Sequence, residues 1–401
     1  MQEVTFTLRT LTPLFLAGND QVEMKIPIDT RKQGTSVDTD HYAWKLLAEL
    51  RPPPIRGLMR YWQRALVGGA MPLEAVRKLE ATIFGTTDKG SAVCIGVSKP
   101  SKEPQDFRKA GGRVPTGKDY LLWSMARSGS IEKGNYKFPR QYYPYDTNFQ
   151  VMLSVRRQGD AEQKILEQAI AAFWLLIYLG GIGSRSRRSA GSLTVENIHA
   201  DTAQILKEQL EQDWGIVLQD TEGNTRKLSF SKPETANALK TQLESGIQCA
   251  RLLFDINRPP AQHNAQFDIL ARGACRIWIL QDKNKNPWST PEKAMEDIGN
   301  SLQNYRGSIR DPQHRGQIYD HRLREIFGLP LSKNEGRRAS PLRLRIAELQ
   351  EGKYVGVAVL FKTIGKDVST GRDITMNDYK RIEGWITDNN FPGALDSEIE
   401  L

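Results

Sequence analysis

The chain is poor in cysteine and has no apolar run long enough to cross a membrane. Its three cysteines, Cys94, Cys249 and Cys275, are far apart and form no C-x-x-C pair. We therefore expect neither a disulfide framework nor a zinc site, and we predict no metal and no cofactor. The longest apolar stretch, 169–179, is too short for a bilayer, and residues 1–5 lack the features of a secretory signal. We expect a soluble, cytoplasmic protein without membrane contact.

The charge of the chain is shifted toward the basic side. Its 401 residues include 56 Lys and Arg against 47 Asp and Glu, a formal net charge of +9. This excess suits an anionic partner, although surplus charge also serves solubility alone. With 39% hydrophobic residues the chain can bury real cores, and its length is typical of two or three domains. Where the arginines cluster therefore matters more than their total.

One stretch combines glycine, serine and arginine. Residues 180–191, GGIGSRSRRSAG, follow a long apolar helix pattern and precede a short strand pattern; we name them the glycine-arginine loop. Glycine lets a ligand approach the backbone closely, and backbone N–H, serine hydroxyl and guanidinium groups all donate to phosphate oxygens. The alternative is a helix end followed by a solvated basic turn. The candidate phosphate ligands of the loop are Gly181, Gly183, Ser184, Arg185, Ser186, Arg187 and Arg188.

A second basic group lies on the helix predicted after the proline run 52–54. Apolar residues recur at helical spacing between 55 and 66, and Arg56, Arg60 and Arg64 follow one another at intervals of four. The three arginines therefore form a stripe beside the apolar face, where they would bind phosphates. The alternative is a solvated face whose aliphatic stems cover apolar surface.

The order of the predicted elements indicates the fold class. Strand patterns occur near 4–8, 93–97, 149–155 and 193–195, and helix patterns near 55–66 and 161–179. The order strand, helix, strand, strand, helix, strand is that of a ferredoxin-like, or split β-α-β, unit. We therefore predict an α+β fold in which both helices cover one face of an antiparallel sheet.

The second half of the chain repeats part of this pattern. The tripeptide IFG at 83–85 recurs at 326–328, and in both places a polar loop and a strand follow. In the later strand, apolar residues alternate with Arg343 and Arg345. We predict two ferredoxin-like, RRM-related domains, the second degenerate because its last strand is not evident. The predicted divisions are a first domain at 1–200 with insertions at about 18–50 and 98–137, a linker or accessory region at 201–270, and a second domain at 271–401.

Several of these motifs occur together in one known superfamily. They are TPLFLAG at 12–18, PIRGLMRYW at 54–62, IFG at 83–85 and the glycine-arginine loop. In this combination the chain resembles the RAMP proteins of CRISPR systems, whose ferredoxin-like domains bind RNA and carry a glycine-rich loop after the second helix. The pattern PPxIRGLxRYWxRAL at 52–66 is most similar to that of the first-numbered RAMP subunit of the type III-B (Cmr) effector complex.

The resemblance implies a function and a set of partners. It implies a non-catalytic RNA-binding subunit that contacts the 3′ region of the crRNA or the guide–target duplex and aids target RNA capture in antiviral defence. The implied partners are crRNA, target RNA and the other RAMP subunits of a Cmr complex. Phosphate contacts, which give affinity without reading sequence, suit a subunit that accepts any guide.

Two other functions compete with this one. A RAMP endoribonuclease, metal-dependent or using a general base, would draw on the loop after the first strand, which contains Asp20, Asp29, Asp38, Asp40 and His41. No lysine or histidine accompanies the carboxylates at catalytic spacing, so solvated loop residues are the better interpretation. An architectural subunit, whose free sheet faces dock neighbours, is the third possibility.

Overall fold

The computed structural model describes residues 2–26, 42–109, 116–126, 136–156, 159–257, 265–307, 326–328, 339–366 and 373–387. Within these ranges the strands are β1 Gln2–Thr10, β2 Ala17–Lys25, β3 Tyr42–Ala48, β4 Val93–Val97, β5 Gln105–Asp106, β6 Gln141–Tyr142, β7 Asn148–Val155, β8 Leu193–Asp201, β9 Gly215–Gln219, β10 Thr225–Ser229, β11 Cys275–Leu280, β12 Leu342–Glu348, β13 Tyr354–Phe361, β14 Gly365–Lys366 and β15 Asp373–Ile374. The helices are α1 Pro52–Val67, α2 Leu73–Phe84, α3 Gly117–Leu122, α4 Asp160–Leu179, α5 Gln204–Glu211, α6 Ala236–Leu253, α7 Pro291–Gly307 and α8 Met376–Thr387.

The first sheet is antiparallel and has the strand order β4-β7-β1-β8. Along the chain its strands are interrupted by α1 and α2 after β1 and by α4 after β7, which is the predicted order of strands and helices. Val4, Phe6 and Leu8 of β1 are fully buried while the residues between them are half-buried. The period-two pattern of the sequence therefore corresponds to a strand with one side against the core. The predicted fold class, a mixture of helices and antiparallel sheets, is confirmed.

Two helices cover the buried face of this sheet. Helix α1 has proline in its first turn, where the missing N–H costs nothing, and it buries Ile55, Met59, Trp62 and Leu66. Helix α4 is buried on all sides along its C-terminal half, because it also contacts α6. No helix in the described ranges is both long and apolar enough to span a membrane.

The second sheet is antiparallel, has the order β11-β13-β12 and is covered on both faces. One face, with Ile277 and Val357, belongs to the same core as α1 and α4. The other, with Trp278 and Ala358, packs in a second core with α7 and α8. Although apolar residues and arginines alternate in β12, all seven of its residues are buried. Among the described residues, both faces of the second sheet are therefore packed inside the protein.

The predicted linker or accessory region is structured and packs on the first core. It contains α5, the β9–β10 hairpin and α6. Buried residues of these elements, among them Leu210, Ile216, Leu243 and Ile247, join the cluster that contains α4. Whether this region is a separate unit or part of the first domain, its apolar side chains are continuous with the first core.

The glycine of the repeated tripeptide has a positive φ in both places. Gly85 has φ +78° and Gly328 has φ +67°, a conformation that favours glycine. A Cβ atom at Gly328 would lie 2.3 Å from the backbone nitrogen of Ser340. Both preceding phenylalanines are buried, so each copy turns the chain sharply after anchoring it in a core.

Candidate functional site

The glycine-arginine loop leaves α4 through a series of tight turns. Gly183 has φ +87°, and a Cβ atom there would lie 2.3 Å from the carbonyl oxygen of Phe15. The N–H of Ser184 donates to the same carbonyl over 2.8 Å, and the N–H of Ile182 donates to Gly191 over 3.0 Å. The first bond holds the loop against the segment after β1 and the second joins the two ends of the loop, so neither N–H is available to a phosphate.

Two of the three arginines of the loop bond to the second half of the chain, and Arg185 bonds to α3. Each donates to one backbone carbonyl: Arg185 Nε to Leu121 at 2.9 Å, Arg188 Nη2 to Phe327 at 2.8 Å, and Arg187 Nη1 to Ser340. Among the described residues none of the three is paired with a carboxylate. The loop therefore bonds the first sheet's unit to the elements around β12 without neutralising its own charge.

Two arginines of β12 complete this cluster. Arg345 donates to the carbonyl oxygen of Leu193 over 3.0 Å and lies 5.9 Å from the ring centre of Tyr178. Arg343 lies 4.2 Å from the ring centre of Tyr61 and 3.8 Å from a carboxylate oxygen of Asp268. We name the five residues Arg185, Arg187, Arg188, Arg343 and Arg345 the arginine junction.

The arginine junction carries positive charge in a poorly hydrated place. Burial lowers the pKa of Arg188 to about 9 and that of Arg345 to about 10. Burial also lowers the pKa values of Arg185 and Arg187, and for Arg187 the neighbouring charge of Arg343 adds to the effect. Buried guanidinium groups are costly unless an anion accompanies them. The junction is therefore a place where an anion would be strongly attracted.

Accessibility differs among the loop arginines. Arg188 is only 6% exposed and its Nη1 has no partner among the described atoms. Arg185 and Arg187 are half-buried, and each uses a single nitrogen in the contacts described above. A ligand from solution can therefore reach Arg185 and Arg187, whereas Arg188 contributes only its charge and its bond to Phe327.

The stripe on α1 is not brought together with the loop. Arg60 and Arg64 both bind Glu80 of α2, at 2.6 and 2.9 Å, and the Glu80 side chain is only 8% exposed. Arg56 has no ion pair or hydrogen bond among the described residues, and its Nε is buried. Within the predicted stripe, two of the three arginines thus have a carboxylate partner inside the protein, and Arg56 does not.

Most of the residues considered for nuclease chemistry lie outside the described part of the chain. Asp29, Asp38, Asp40 and His41 lie outside the described residues. Asp20 is exposed at β2. In the described part of the chain, no group of three or more His, Cys, Asp or Glu residues is placed to hold a metal ion.

The sequence did not predict that residues of the second half of the chain belong to the site. Arg343 and Arg345 alternate with leucine in a strand, a pattern typical of a half-exposed sheet, and nothing local shows that the loop covers them. Tyr61, whose hydroxyl donates to Asp268 over 2.6 Å, lies next to Arg60 in the helix motif. Arginine alternating within an otherwise apolar strand was the one available signal, since such residues need partners when both faces of the strand are buried.

The first half of the chain matches a known family. The model of the RAMP superfamily matches residues 7–194, from β1 through the glycine-arginine loop to the start of β8. The match covers slightly less than half of the chain. The resemblance predicted from the motifs is confirmed, and the loop is part of the matched region.

Two proteins of Pyrococcus furiosus resemble the chain in sequence. The CRISPR system Cmr subunit Cmr1-2 is 28% identical over 211 residues, which cover 49% of this chain and 96% of that protein. The subunit Cmr1-1 is 26% identical over 365 residues, covering 88% of this chain and 90% of that protein. The second similarity extends well beyond the RAMP region.

Solved structures show that the whole fold is shared. The crystal structure of Cmr1 from Pyrococcus furiosus has a TM-score of 0.55 at 19% identity, covering 100% of this chain and 99% of that one. A chain from the type III-B Cmr-beta complex bound to cognate target RNA has a TM-score of 0.52 at 13% identity, covering 97% and 100%. At these identities the likeness concerns the fold.

Proposed function

We propose that the protein is a non-catalytic RNA-binding subunit of a type III-B Cmr effector complex. The observation that carries the proposal is the arginine junction, where the arginines of the loop lie beside β12 and its two arginines. Asp268 is the one carboxylate paired with any of the five within the described residues. An RNA phosphate would supply the missing anion. The junction lies where the RAMP glycine-rich loop meets the second sheet.

The chemistry of the junction fits a phosphodiester backbone. Arg185 and Arg187 are half-buried, so their unused nitrogens can donate to phosphate oxygens with the fork geometry that arginine offers. The low hydration of the site strengthens such contacts. Since no base-reading group is required, the site accepts any sequence, which a guide-carrying complex needs.

The other candidate residues have supporting roles in this proposal. Gly183 allows the loop to lie against Phe15, and Gly181 lies close to the carbonyl groups of Ala190 and Gly191 in the same loop. Ser184 precedes Arg185, and Ser186 lies between Arg185 and Arg187. Arg188 fixes the loop to Phe327 and adds charge. On α1, Arg56 is the stripe residue with no internal partner among the described residues and is proposed as a phosphate ligand, whereas Arg60 and Arg64 would contact RNA only while also holding Glu80.

The finer assignment rests on the relatives. Similarity to Cmr1-1 and Cmr1-2 supports a Cmr subunit with other Cmr subunits as neighbours. As its RNA ligand we propose the 3′ region of crRNA or the guide–target duplex, as the resemblance to the RAMP proteins implies. We also propose that the chain consists of two ferredoxin-like domains, at 1–200 and 271–401, joined by 201–270. The strand order β4-β7-β1-β8 supports the first, and the three strands β11, β12 and β13 support an incomplete second.

The test is RNA binding measured against salt concentration. The full chain, and the variant Arg185→Gln/Arg187→Gln, are titrated with a fluorescent single-stranded RNA at several salt concentrations. Removing one arginine–phosphate interaction should reduce the slope of log K against log[salt] by about 0.7, so the double variant should show a slope smaller by about 1.4. Arg77→Gln, an exposed arginine on α2, is the matched control. An unchanged slope in the double variant would refute the junction as the phosphate site.

A further inference from the structure

A second cavity lies away from the arginine junction, beside the β2–β3 hairpin. It has a volume of about 680 Å³ and lies between that hairpin, residues 106–109 and residues 136–139; we name it the hairpin groove. Its volume falls in the range of about 300–1,000 Å³ that small-molecule sites occupy. Nothing in the chemistry of the junction uses this groove.

Aromatic rings form part of the wall and the floor of the hairpin groove. Phe107 is buried and packs edge-on against Phe15 with ring centres 5.4 Å apart. Tyr136 and Phe138 are half-buried and meet at 86° with ring centres 5.2 Å apart. Because these two rings are perpendicular and only partly covered, a flat ligand can stack on one while touching the edge of the other.

Charge surrounds the rings. Four basic side chains, Lys25, Lys45, Arg108 and Lys109, line the groove against one acidic one, Asp106. Lys45 is paired with Asp106 at 2.7 Å, and the excess positive charge at the surface belongs to Arg108 and Lys109, which are exposed. Protein–protein interfaces are depleted in lysine. A polyanion that also carries planar groups suits this lining better than a protein surface does.

The groove continues past Arg108 into a neighbouring cavity. That cavity, of about 610 Å³, shares Lys45, Asp106 and Arg108 with the hairpin groove and adds Tyr142. Arg108 therefore stands between two spaces, as a phosphate ligand would between successive nucleosides. Nearby, β3 exposes Tyr42 and Trp44 by 53% and 61%, which leaves further rings at the surface of the same hairpin.

We propose that the hairpin groove binds an unpaired stretch of RNA, taking one base against Tyr136 and Phe138 and the adjoining phosphate at Arg108 and Lys109. The ligand class rests on the proposed function, and the site itself is additional to the arginine junction. Stacking on aromatic rings beside basic groups holds single strands without sequence preference. The groove thus adds a base-dependent contact to the base-independent one at the junction.

The experiment compares RNA with and without bases. The full chain is titrated with a fluorescent oligouridylate of eight nucleotides and with an abasic ribose-phosphate oligomer of the same length. Phe138→Ala should weaken binding of the oligouridylate roughly 5- to 100-fold, leave the abasic oligomer unaffected and keep the salt slope. Lys109→Gln should weaken both and lower the salt slope by about 0.7. Phe267→Ala, a phenylalanine that is 41% exposed outside the groove, is the matched control.

The outcomes separate this inference from the proposed function. If the unaltered chain binds neither oligomer, both fail. If it binds, and Arg185→Gln/Arg187→Gln weakens binding while Phe138→Ala and Lys109→Gln do not, the junction stands and the groove is overturned; the groove would then be a surface for a protein. Phe138→Leu, which keeps apolar volume, should lose less affinity than Phe138→Ala if both variants melt at the same temperature as the unaltered chain.

Discussion

Replacing Arg188 with methionine should stabilise the protein, although the residue is buried and bonded. Its pKa falls from 12.5 to about 9 because burial disfavours the charged form. At about 1.4 kcal/mol per pKa unit, the folded environment opposes the charge by about 5 kcal/mol. Since the pKa of the folded state lies below that of the unfolded chain, the penalty is present in full below pH 9 and is relieved as pH rises above it.

The substitution also removes a favourable hydrogen bond, so the change in the free energy of unfolding is the difference between the two effects. Methionine leaves the carbonyl of Phe327 without its donor, which costs about 1–3 kcal/mol. Methionine has a long apolar side chain that can follow the path of the arginine stem. The net expectation is a gain of about 2–4 kcal/mol, visible as a rise of a few degrees in the melting temperature.

Arg9→Met is the matched comparison because it makes the same change where the charge is satisfied. Arg9 binds Glu348 at 2.6 Å, Glu196 at 2.6 Å and Asp146 at 2.7 Å. Glu348 is 5% exposed and would keep only Lys232, at 3.0 Å. Removing Arg9 should cost about 3 kcal/mol. Thermal melting of the full chain at pH 7.5, without RNA, measures both variants; a lower melting temperature for Arg188→Met would refute the view that the junction lacks an anion.

Four further predictions follow from the same contacts. Arg60→Met/Arg64→Met should melt at lower temperature than Glu80→Gln, because the double variant leaves a buried carboxylate unpaired whereas the half-exposed arginines can return to water; equal melting of the two would contradict this. Gly183→Ala should lower the melting temperature and weaken RNA binding, since its Cβ would meet the Phe15 carbonyl, with Gly57→Ala, where nothing lies within 4 Å, as the control. Burial by itself would raise the pKa of Glu196, but the ion pairs with Arg9 and Lys232 hold that pKa below 4.5. The stability that these ion pairs contribute is present above about pH 4.5 and is lost as pH falls through the lowered pKa. The melting temperature of Arg9→Met should therefore depend less on pH in the acid range than that of the unaltered chain. Labelled RNA incubated with the full chain and Mg²⁺ should remain intact; cleavage that disappears in Asp20→Asn would support the nuclease alternative instead.

Much of the fold follows from local patterns. The alternation in β1, the apolar repeat of α4 and the prolines before α1 each specify their element, because period and turn residues act over a few positions. The two IFG turns could be matched for the same reason. By contrast, the packing of 201–257 on the first core and the covering of both faces of the second sheet depend on contacts between distant elements, which no local period encodes.

Local motifs were enough to locate the arginines in a glycine-rich loop and on α1, and to predict the resemblance of the first half to RAMP proteins. Which of those arginines lack an anion depends on how distant elements pack together. Arg60 and Arg64 form ion pairs with Glu80 on the next helix, and Arg9 forms one with Glu348, which is distant in sequence. The loop arginines meet carbonyl oxygens and the arginines of β12 instead. Charge compensation is a property of neighbours in space, so the residues open to RNA could be singled out only after folding had assigned partners to the rest.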